Sequence, residues 1–277
     1  MKGNRMKKIS LAGDLGSGKS TVSKILIDRL GAEYYSTGTI VRELAKEHGM
    51  EVGKFNVYME THPEIDHKID DGLKALTDDE RFLIIDSRMA WHFTEGTFKV
   101  YLSCDPETSA IRILGAARIG EGAENLEEAI ANTRERRESE KKRYMTQYGV
   151  DIKDLMNYDL IVDTAAATPE EIADRIISSF EEWKEKGEYK GAFIAPTRLF
   201  YPDDEPLLDH VTGLSALLEM GIEIPEVKAV EKNGEFYVTD GVESALAYGF
   251  NFTTFVPVTL VRGEIDESAF TNMKNNL

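Results

Sequence analysis

The stretch GDLGSGKS, residues 13–20, constrains the fold of this chain more than any other feature of its sequence. It follows KKISLAG, an apolar run that predicts a buried strand, and it opens KSTVSKILIDRLG, which predicts a helix closed by Gly31. Between a strand and a helix, the spacing GxxxxGK[ST] is that of a phosphate-binding loop, whose glycines let backbone N–H groups point at phosphate oxygens. The motif therefore predicts an α/β fold that binds a nucleoside triphosphate.

The side chains of this loop have separate expected roles. Lys19 brings a positive charge to the β- and γ-phosphate oxygens, and the Ser20 hydroxyl ligates Mg²⁺, so a nucleoside triphosphate and Mg²⁺ are the expected ligands of the loop. Asp14 is unusual because it places a carboxylate near the triphosphate, and we expect this side chain to face away from the phosphates. The predicted ATP-binding residues are Gly13, Leu15, Gly16, Ser17, Gly18, Lys19, Ser20 and Thr21, with Arg112 on a later helix.

Strands and helices alternate over the first two thirds of the chain. RFLIID, FKVYLSC and YDLIVDT are apolar runs of strand length, as expected of strands buried on both faces of a sheet. A helix that begins at Pro106 carries Arg112 and Arg118, and a long helix spans EEAIANTRERRESEKKRYMTQYG. Another helix has Thr168 as its N-cap and Pro169 in its first position. This alternation predicts a parallel α/β sheet.

The character of the sequence changes after a polar joint at residues 184–191. Shorter elements follow: a helix in PLLDHVTGLSALLEMG, a hairpin with its turn at Asn233-Gly234, a helix in VESALAYG and a strand in TTFVPVTLVRG. We therefore predict one domain over residues 1–187 and a small α+β domain over residues 192–277.

Charge and apolar patterning exclude several classes of partner. The formal net charge of −17 disfavours binding to nucleic acid or anionic membranes, both of which need basic surface. Residues 190–277 alone hold six Lys and Arg against fourteen Asp and Glu. The apolar runs are too short to cross a bilayer, and the N-terminus lacks the apolar segment of a signal peptide. The single cysteine, Cys104, ends an apolar run and is interpreted as a core residue, so we expect a cytoplasmic protein.

Six stretches between residues 7 and 182 resemble cytidylate kinase, in particular its compact form without the long insert. They are GDLGSGKST, YYSTGTIVRELA, PEIDHKID, IIDSR, RERRESEKKRYMTQYGVDI and YDLIVDT with the following TPEEI, in the order of that family. The resemblance implies a P-loop nucleoside monophosphate kinase of the adenylate-kinase type, with a five-stranded parallel sheet, a monophosphate-binding region and a mobile helical lid. The implied reaction is the ATP-dependent phosphorylation of CMP or dCMP, with small-molecule nucleotides as partners.

The resemblance also assigns site residues outside the phosphate loop. Ser36 matches a serine at the cytosine end of the acceptor, and Arg42 and Arg88 match arginines that bind the acceptor phosphate. Asp86 matches an acidic residue near Mg²⁺ and its waters. The implied catalytic residues are Lys19, Arg88, Arg136 and Arg143, the acceptor-binding residues are Ser36, Arg42, Asp86, Arg88 and Glu140, and the metal contacts are Ser20 and, through water, Asp86.

The charged stretch TRERRESEKKRY carries one part of this implied site. Arg136, Glu140 and Arg143 are spaced i, i+4 and i+7, which places them on one face of a helix. The resemblance implies that the arginines meet the transferred phosphate and that the acid meets the sugar of the acceptor. We expect the remaining charged residues to lie mostly elsewhere and to keep the helix in water; they are Arg134, Arg137, Glu138, Lys141 and Lys142.

Two positions depart from the family pattern in the acceptor pocket. Thr39 stands where many members have an acid, and Met89 replaces an aspartate that some members carry, which leaves base and sugar selectivity open. A phosphate acceptor needs positioning and charge neutralisation rather than a general base, which suits these arginines, although Asp86 remains a possible base for a hydroxyl acceptor. A kinase for another small metabolite and a nucleotide-sensing regulatory protein therefore remain alternatives.

Residues 192–262 show a second resemblance, to the core of the ParB/sulfiredoxin-like fold. Active members carry a phosphate-binding arginine in the helix after the DG turn, whereas this chain has Val242, Glu243 and Ser244 there. We interpret the region as a degenerate module for dimerisation, regulation or binding of a protein partner. His62, His67, Asp66 and Asp70 are not expected to form a metal site, because the spacing of the histidines does not place them on one helical face.

Overall fold

The alternating apolar runs form strands and helices in a computed structural model that describes residues 7–115, 126–203 and 206–275. The strands are β1 Lys8–Gly13, β2 Glu33–Ser36, β3 Leu83–Asp86, β4 Phe98–Ser103, β5 Leu160–Asp163, β6 Gly191–Ile194, β7 Leu199–Pro202, β8 Val227–Lys232, β9 Glu235–Asp240, β10 Val256–Leu260 and β11 Phe270–Asn272. The helices are α1 Lys19–Leu30, α2 Thr37–Glu47, α3 Val52–Met59, α4 Pro63–Ala75, α5 Ala90–Phe93, α6 Pro106–Gly115, α7 Leu126–Tyr148, α8 Pro169–Lys186, α9 Leu208–Glu219 and α10 Val242–Phe250. Arg118 lies outside the described residues.

The first five strands form the predicted parallel sheet, in the order β2-β3-β1-β4-β5. The central strand β1 is buried along its whole length, with Ile9 opposite Ile84 of β3 on one side and Phe98 of β4 on the other. Since all five strands run in one direction, the loops that follow them lie at one edge of the sheet, where ligands of such sheets bind.

Helices α1 and α8 cover one face of this parallel sheet. Val22 and Leu26 of α1 and Ile176 and Phe180 of α8 pack with strand side chains in one core cluster, and each side chain so buried contributes about 1.5–3 kcal/mol to stability. Thr168 caps α8 by accepting from the Glu171 N–H, as its sequence predicts, and the Glu171 side chain completes a capping box. These contacts fix the start of α8 directly after the loop that follows β5.

Helices α2, α3 and α4 form a separate layer beside the phosphate loop. Ala45, Phe55, Met59 and Ile69 make a small apolar core that these three helices share. The layer therefore has packing of its own and contacts α7 across the cavity described below.

The sheet continues beyond β5 without a break. Strand β6 pairs with β5 in parallel, and the remaining order is β6-β10-β8-β9-β7-β11, in which parallel and antiparallel pairs both occur. The predicted hairpin of β8 and β9 turns at Asn233 and Gly234, whose φ values of 58° and 87° are the left-handed ones that such a two-residue turn requires. The predicted domain division therefore falls between two elements of one sheet, and it stays a prediction.

One apolar core crosses that division. Tyr158, just before β5, and Ile161, within it, belong to the same buried cluster as Ile194, Leu199 and Phe236 from beyond residue 190. The two regions are thus joined by side-chain packing as well as by backbone hydrogen bonds. Within the described ranges, no helix is both long and apolar enough to span a membrane.

Candidate active site

The phosphate loop lies between β1 and α1 with its glycines in conformations that suit few other residues. Gly16 and Gly18 have φ values of 72° and 81°, in the left-handed region. A Cβ on Gly16 would come within 2.6 Å of the Ser109 carbonyl oxygen, whereas a Cβ on Gly18 would meet no atom within 4 Å. Gly18 is the N-cap of α1, so the open space lies at the helix N-terminus, which favours an anion.

Lys19 is held inside this loop by its backbone. The Nζ donates to the carbonyl oxygens of Gly13 and Asp14, at 3.1 and 2.9 Å. Burial lowers the pKa of Lys19 to about 7, and repulsion from Arg88 acts in the same direction. A phosphate bound beside Lys19 would favour the charged ammonium form and so oppose this lowering of the pKa. The site of Lys19 is therefore suited to an anion.

Glu140 of α7 holds two arginines at the cavity. Arg88 Nε donates to Glu140 Oε2 at 2.8 Å, and Arg136 Nε donates to Oε1 at 3.3 Å. Burial alone would raise the pKa of Glu140, but attraction to Arg88, Arg136 and Arg143 lowers it to about 2. Arg88 also donates to the Gly13 carbonyl oxygen, so this network joins α7 to the phosphate loop.

Arg143 joins α7 to the layer formed by α2, α3 and α4. Its Nη1 donates to the Asn56 carbonyl oxygen at 3.2 Å, and its Nε lies 3.2 Å from Asp66 Oδ2. The sequence did not predict either contact of Arg143. A backbone carbonyl such as that of Asn56 leaves no signal in the sequence, and Asp66 entered the sequence analysis only as a candidate metal ligand. The ion pair instead places Asp66 against a predicted catalytic arginine.

The predicted acceptor residues lie at the end of the cavity beside β2 and α2. Ser36 is the N-cap of α2 and accepts from the Thr39 N–H at 3.3 Å, while Arg42 Nη2 donates to Thr39 Oγ1 at 3.0 Å. Asp86 Oδ2 accepts from the Tyr34 hydroxyl at 2.8 Å. Thr39, at a position where an acid was expected, thus contacts a predicted phosphate-binding arginine without neutralising it.

The expectation that Met89 bears on the acceptor pocket is wrong. Its side chain is 1% exposed and belongs to an apolar cluster with Leu83 and Ile85 of β3. Met89 lies one residue beyond Arg88, at the N-cap of the short helix α5, and its apolar side chain suits this interior position. Its difference from aspartate therefore concerns packing rather than ligand recognition.

Arg112 lies at the end of the cavity that is lined by α6 and the loop after β5. Its Nη2 donates to the Thr164 carbonyl oxygen at 2.6 Å, and its Nη1 donates to Thr164 Oγ1 at 3.2 Å. Ile113, Ala167 and Pro169 line the same cavity. The arginine thus connects α6 to the turn that leads into α8.

These groups surround a single cavity of about 510 Å³. The predicted residues on its wall are Leu15, Gly16, Ser17, Gly18, Lys19, Ser20, Thr21, Ser36, Arg42, Asp86, Arg88, Arg112, Arg136, Glu140 and Arg143. Gly13 lies beneath the loop and contributes its carbonyl oxygen to Lys19 and Arg88. Further wall residues that the sequence analysis did not identify are Thr37, Gly38, Val41, Val52, Asn56, Ser87, Tyr144 and Ile172. The fold therefore assembles the predicted site, while the individual roles stay predictions.

Asp14 faces away from the cavity, as predicted. Its carboxylate accepts from the Tyr101 hydroxyl at 3.0 Å and from the Cys104 N–H at 2.9 Å, and it is paired with Lys153. Burial alone would raise the pKa of Asp14, but attraction to Lys153 and Arg137 lowers it to about 2. The side chain therefore fixes the loop from behind and keeps its charge.

Arg137 corrects the prediction that it belongs to the solvated face of α7. Only 17% of its side chain is exposed, and Nη2 lies 3.6 Å from Asp14 Oδ1. Successive helical residues point about 100° apart, so Arg136 reaches the cavity while Arg137 reaches the back of the phosphate loop. Arg134, Glu138 and Lys142 are exposed, and Lys141 is partly exposed and lies 3.6 Å from Asp151.

The oxygen ligands at the cavity fit a magnesium ion. Ser20 offers a hydroxyl and Asp86 a carboxylate, and Mg²⁺ prefers oxygen ligands while keeping several waters. Among the described residues, no group of three or more His, Cys, Asp or Glu side chains is placed to hold a metal by itself. The phosphates of a bound nucleotide would therefore supply further ligands.

Known proteins resemble the first two thirds of the chain. A family profile described as an AAA domain matches residues 9–141. The cytidylate kinase of Thermoplasma volcanium is 39% identical over 186 residues, which are 66% of this chain and 95% of that kinase. The cytidylate kinase of Archaeoglobus fulgidus is 35% identical over 184 residues, 66% of this chain and 99% of that kinase. A solved shikimate kinase from Bacteroides thetaiotaomicron aligns with a TM-score of 0.45 and 14% identity, over 63% of this chain and 98% of its own.

Proposed function

Because the chain belongs to the cytidylate kinase family and is a nucleoside monophosphate kinase, we propose that it transfers the γ-phosphoryl group of ATP to CMP or dCMP. The observation that carries this proposal is the single cavity with the phosphate loop in its middle. Arg112 follows β4 and Ser36 and Arg42 follow β2, so the strand order places them on opposite sides of the phosphate loop after β1, at the two ends of this cavity. Two nucleotides placed from these ends would meet with their phosphates at Lys19 and Arg88.

The reaction forms one P–O bond and breaks another. A phosphate oxygen of the monophosphate attacks the γ-phosphorus of ATP, and the bond between that phosphorus and the β–γ bridging oxygen breaks. ADP leaves with the electron pair, and the acceptor becomes CDP or dCDP. The attacking oxygen is already anionic, so positioning and charge neutralisation suffice and no side chain has to remove a proton.

Lys19, Arg88 and Arg136 supply the positive charge for this transfer. All three line the cavity beside the phosphate loop, and Glu140 orients the two guanidinium groups. Bidentate arginine contacts suit the equatorial oxygens of a phosphoryl group in transfer. Ser20 and, through water, Asp86 would hold Mg²⁺, which would supply further neutralisation of phosphate charge when bound.

The hydroxyl groups and the arginine charge at the acceptor end of the cavity are suited to binding a nucleoside monophosphate. Arg42 donates to the neutral Thr39 hydroxyl, so its guanidinium retains a full positive charge for a phosphate. The Ser36 side chain accepts from the Thr39 N–H and lies on the wall of the cavity, where it is placed to contact a ligand such as the cytosine ring. Arg136 and Glu140 of helix α7 line the cavity beside the phosphate loop, so this helix would shield the phosphates from water, which would otherwise hydrolyse ATP.

An acceptor panel tests this proposal. ADP release is measured by a coupled assay with CMP, dCMP, UMP, AMP, GMP, shikimate or no acceptor, each with ATP and Mg²⁺. We expect kcat/KM for CMP or dCMP to exceed that for AMP and GMP by about two orders of magnitude or more, since a site built to hydrogen-bond one base leaves groups unpaired with another. A preference for a hydroxyl acceptor would replace the proposal with a metabolite kinase, and the absence of acceptor-dependent turnover would favour a nucleotide sensor.

The region beyond residue 190 has a separate proposed role. We propose that this region serves dimerisation or binding of a protein partner. We also propose that the reaction takes place in the cytoplasm. Substitution of exposed side chains of α9 or α10, followed by measurement of the molecular mass in solution, tests the proposed dimerisation.

A further inference from the structure

Arg198 reaches from the C-terminal region to the edge of the sheet where the nucleotide cavity lies. It ends the 3₁₀ turn Pro196–Arg198 between β6 and β7, and its side chain is 8% exposed. Its Nη1 donates to Asp163 Oδ1 at 3.2 Å and lies 3.9 Å from Asp105 Oδ2. Its Nε lies 3.5 Å from Glu235 of β9, and its Nη2 donates to the Gly234 carbonyl oxygen.

The two aspartates beside Arg198 hold the two elements that Arg112 connects. Asp105 Oδ1 accepts from the Thr108 N–H at 2.8 Å and so caps the start of α6, the helix that carries Arg112. Asp163 Oδ1 accepts from the Ala165 N–H at 3.1 Å and so shapes the turn after β5. The Thr164 carbonyl oxygen in that turn is the acceptor of Arg112 Nη2.

Charge makes this arrangement depend on Arg198. Burial raises the pKa of Asp163, the nearby Asp105 acts in the same direction, and Arg198 opposes both. Asp163 is completely buried, so an unpaired carboxylate there would have to take up a proton or move. Either change would weaken the hydrogen bond that shapes the turn at Thr164 and Ala165.

We propose that Arg198 is a positioning residue for ATP, which sets the distance between α6 and the turn after β5 and thereby places Arg112 against the donor nucleotide. The region beyond residue 190 then completes the ATP end of a site whose other residues all come from the first 187. This inference rests on the proposed function in one respect, namely that ATP occupies the Arg112 end of the cavity.

Three variants of the full chain test the proposal. Arg198→Gln removes the charge, Arg198→Lys keeps the charge without the planar fork, and Arg262→Gln is the matched control. Arg262 is also an arginine of the C-terminal region that pairs with an aspartate before it, Asp154, at 2.7 Å, but its side chain is 72% exposed. For each variant the dissociation constant of ATP is measured by equilibrium binding, together with Tm, kcat and the KM of CMP.

The expected result is a selective loss at one end of the cavity. Arg198→Gln should weaken ATP binding about tenfold or more, and Arg198→Lys several-fold, since small misplacements of binding groups are costly and lysine lacks the bidentate geometry of arginine. The KM of CMP should stay within about twofold of the wild-type value, because the acceptor contacts lie at the far end. Arg262→Gln should bind ATP as the wild type does.

Several outcomes would overturn the proposal. A folded Arg198→Lys chain with wild-type ATP affinity would do so, as would equal weakening of ATP and CMP binding that follows a fall in Tm. Loss of folded protein in both Arg198 variants would assign the residue to the fold as a whole. Wild-type protein that binds ATP but turns over no acceptor would refute the proposed function and leave the ATP comparison intact.

Discussion

The two parts of the sheet that meet at β5 and β6 use their basic residues differently. In the described part of the parallel side, the cavity is lined by six basic side chains against two acidic ones, Asp86 and Glu140. On the other side, the buried Arg198 is surrounded by three carboxylates, those of Asp105, Asp163 and Glu235. A surplus of positive charge is thus kept where a phosphate ligand is expected, and the charge is neutralised where two regions of the chain are joined.

Removal of the C-terminal region is the strongest way to break this comparison. We expect residues 1–187 alone to lose roughly 5 kcal/mol or more of stability, because Tyr158 and Ile161 would be uncovered and Asp163 would lose its cation. Chemical denaturation of the truncated and full chains measures the difference. A truncated chain that folds with full stability and unchanged ATP affinity would show that the joined region is an appendage, in contrast to this expectation.

Loss of the lysine in the phosphate loop should strongly reduce turnover and leave the fold intact. Lys19→Met removes a cation that faces the phosphates in transfer, so kcat should fall about 10³-fold, or about 4 kcal/mol of transition-state stabilisation. A coupled ADP assay measures kcat, and Arg134→Gln on the exposed face of α7 is the control, with no expected change. Retention of more than a tenth of the activity in Lys19→Met would contradict the assignment.

Glu140 predicts a dependence of stability on acid pH. Its pKa lies at about 2 in the fold against an ordinary value of 4.5, so the ionised form is favoured by folding. The resulting stability, on the order of 3 kcal/mol, is fully present above about pH 4.5 and is lost as the pH falls towards 2. Denaturation of the wild type and Glu140→Gln between pH 5 and 2.5 measures it. The variant should be the less stable protein at pH 5, and the gap should narrow as the pH falls.

Arg137 gives the smallest and most specific effect. Arg137→Gln removes one of two cations beside Asp14, while Lys153 remains paired with it, so stability should fall by about 1 kcal/mol. The KM of ATP should rise a few-fold, since Asp14 fixes the phosphate loop. Thermal unfolding and ATP titration measure these changes, and Lys142→Gln, at an exposed position on the same helix, should change neither. If Arg137→Gln and Lys142→Gln behaved identically, Arg137 would have no role beyond that of the solvated face of α7.

Local signals in the sequence were sufficient for much of the fold. The phosphate loop, the Thr168 cap and the Asn233-Gly234 turn are each specified by a few neighbouring residues, and each is found where the sequence places it. The prediction for Met89 was wrong because the family pattern gives the position of this residue along the chain but not the direction of its side chain.

Pairs distant in sequence account for what was missed. The contacts of Asp14 with Arg137, Asp66 with Arg143 and Asp163 with Arg198 join elements that only the folded chain brings together. Charged residues in such pairs look the same in sequence as those on a solvated helix. The joining of β6 to β5 was missed likewise, since a short apolar run does not state its partner.

The order of strands has a consequence for the growing chain. Translation completes β1 to β5 before β6 is made, so β5 first exists as an open sheet edge, which β6 then covers. Strand β6 in turn lacks its second partner until Val256–Leu260 of β10 has been synthesised, after β7, β8 and β9. Insertion of β10 beside β6 and β8 is therefore a late step, followed by the pairing of β11 with β7, and ribosome-bound chains that stop short of β10 should be the species most dependent on chaperones.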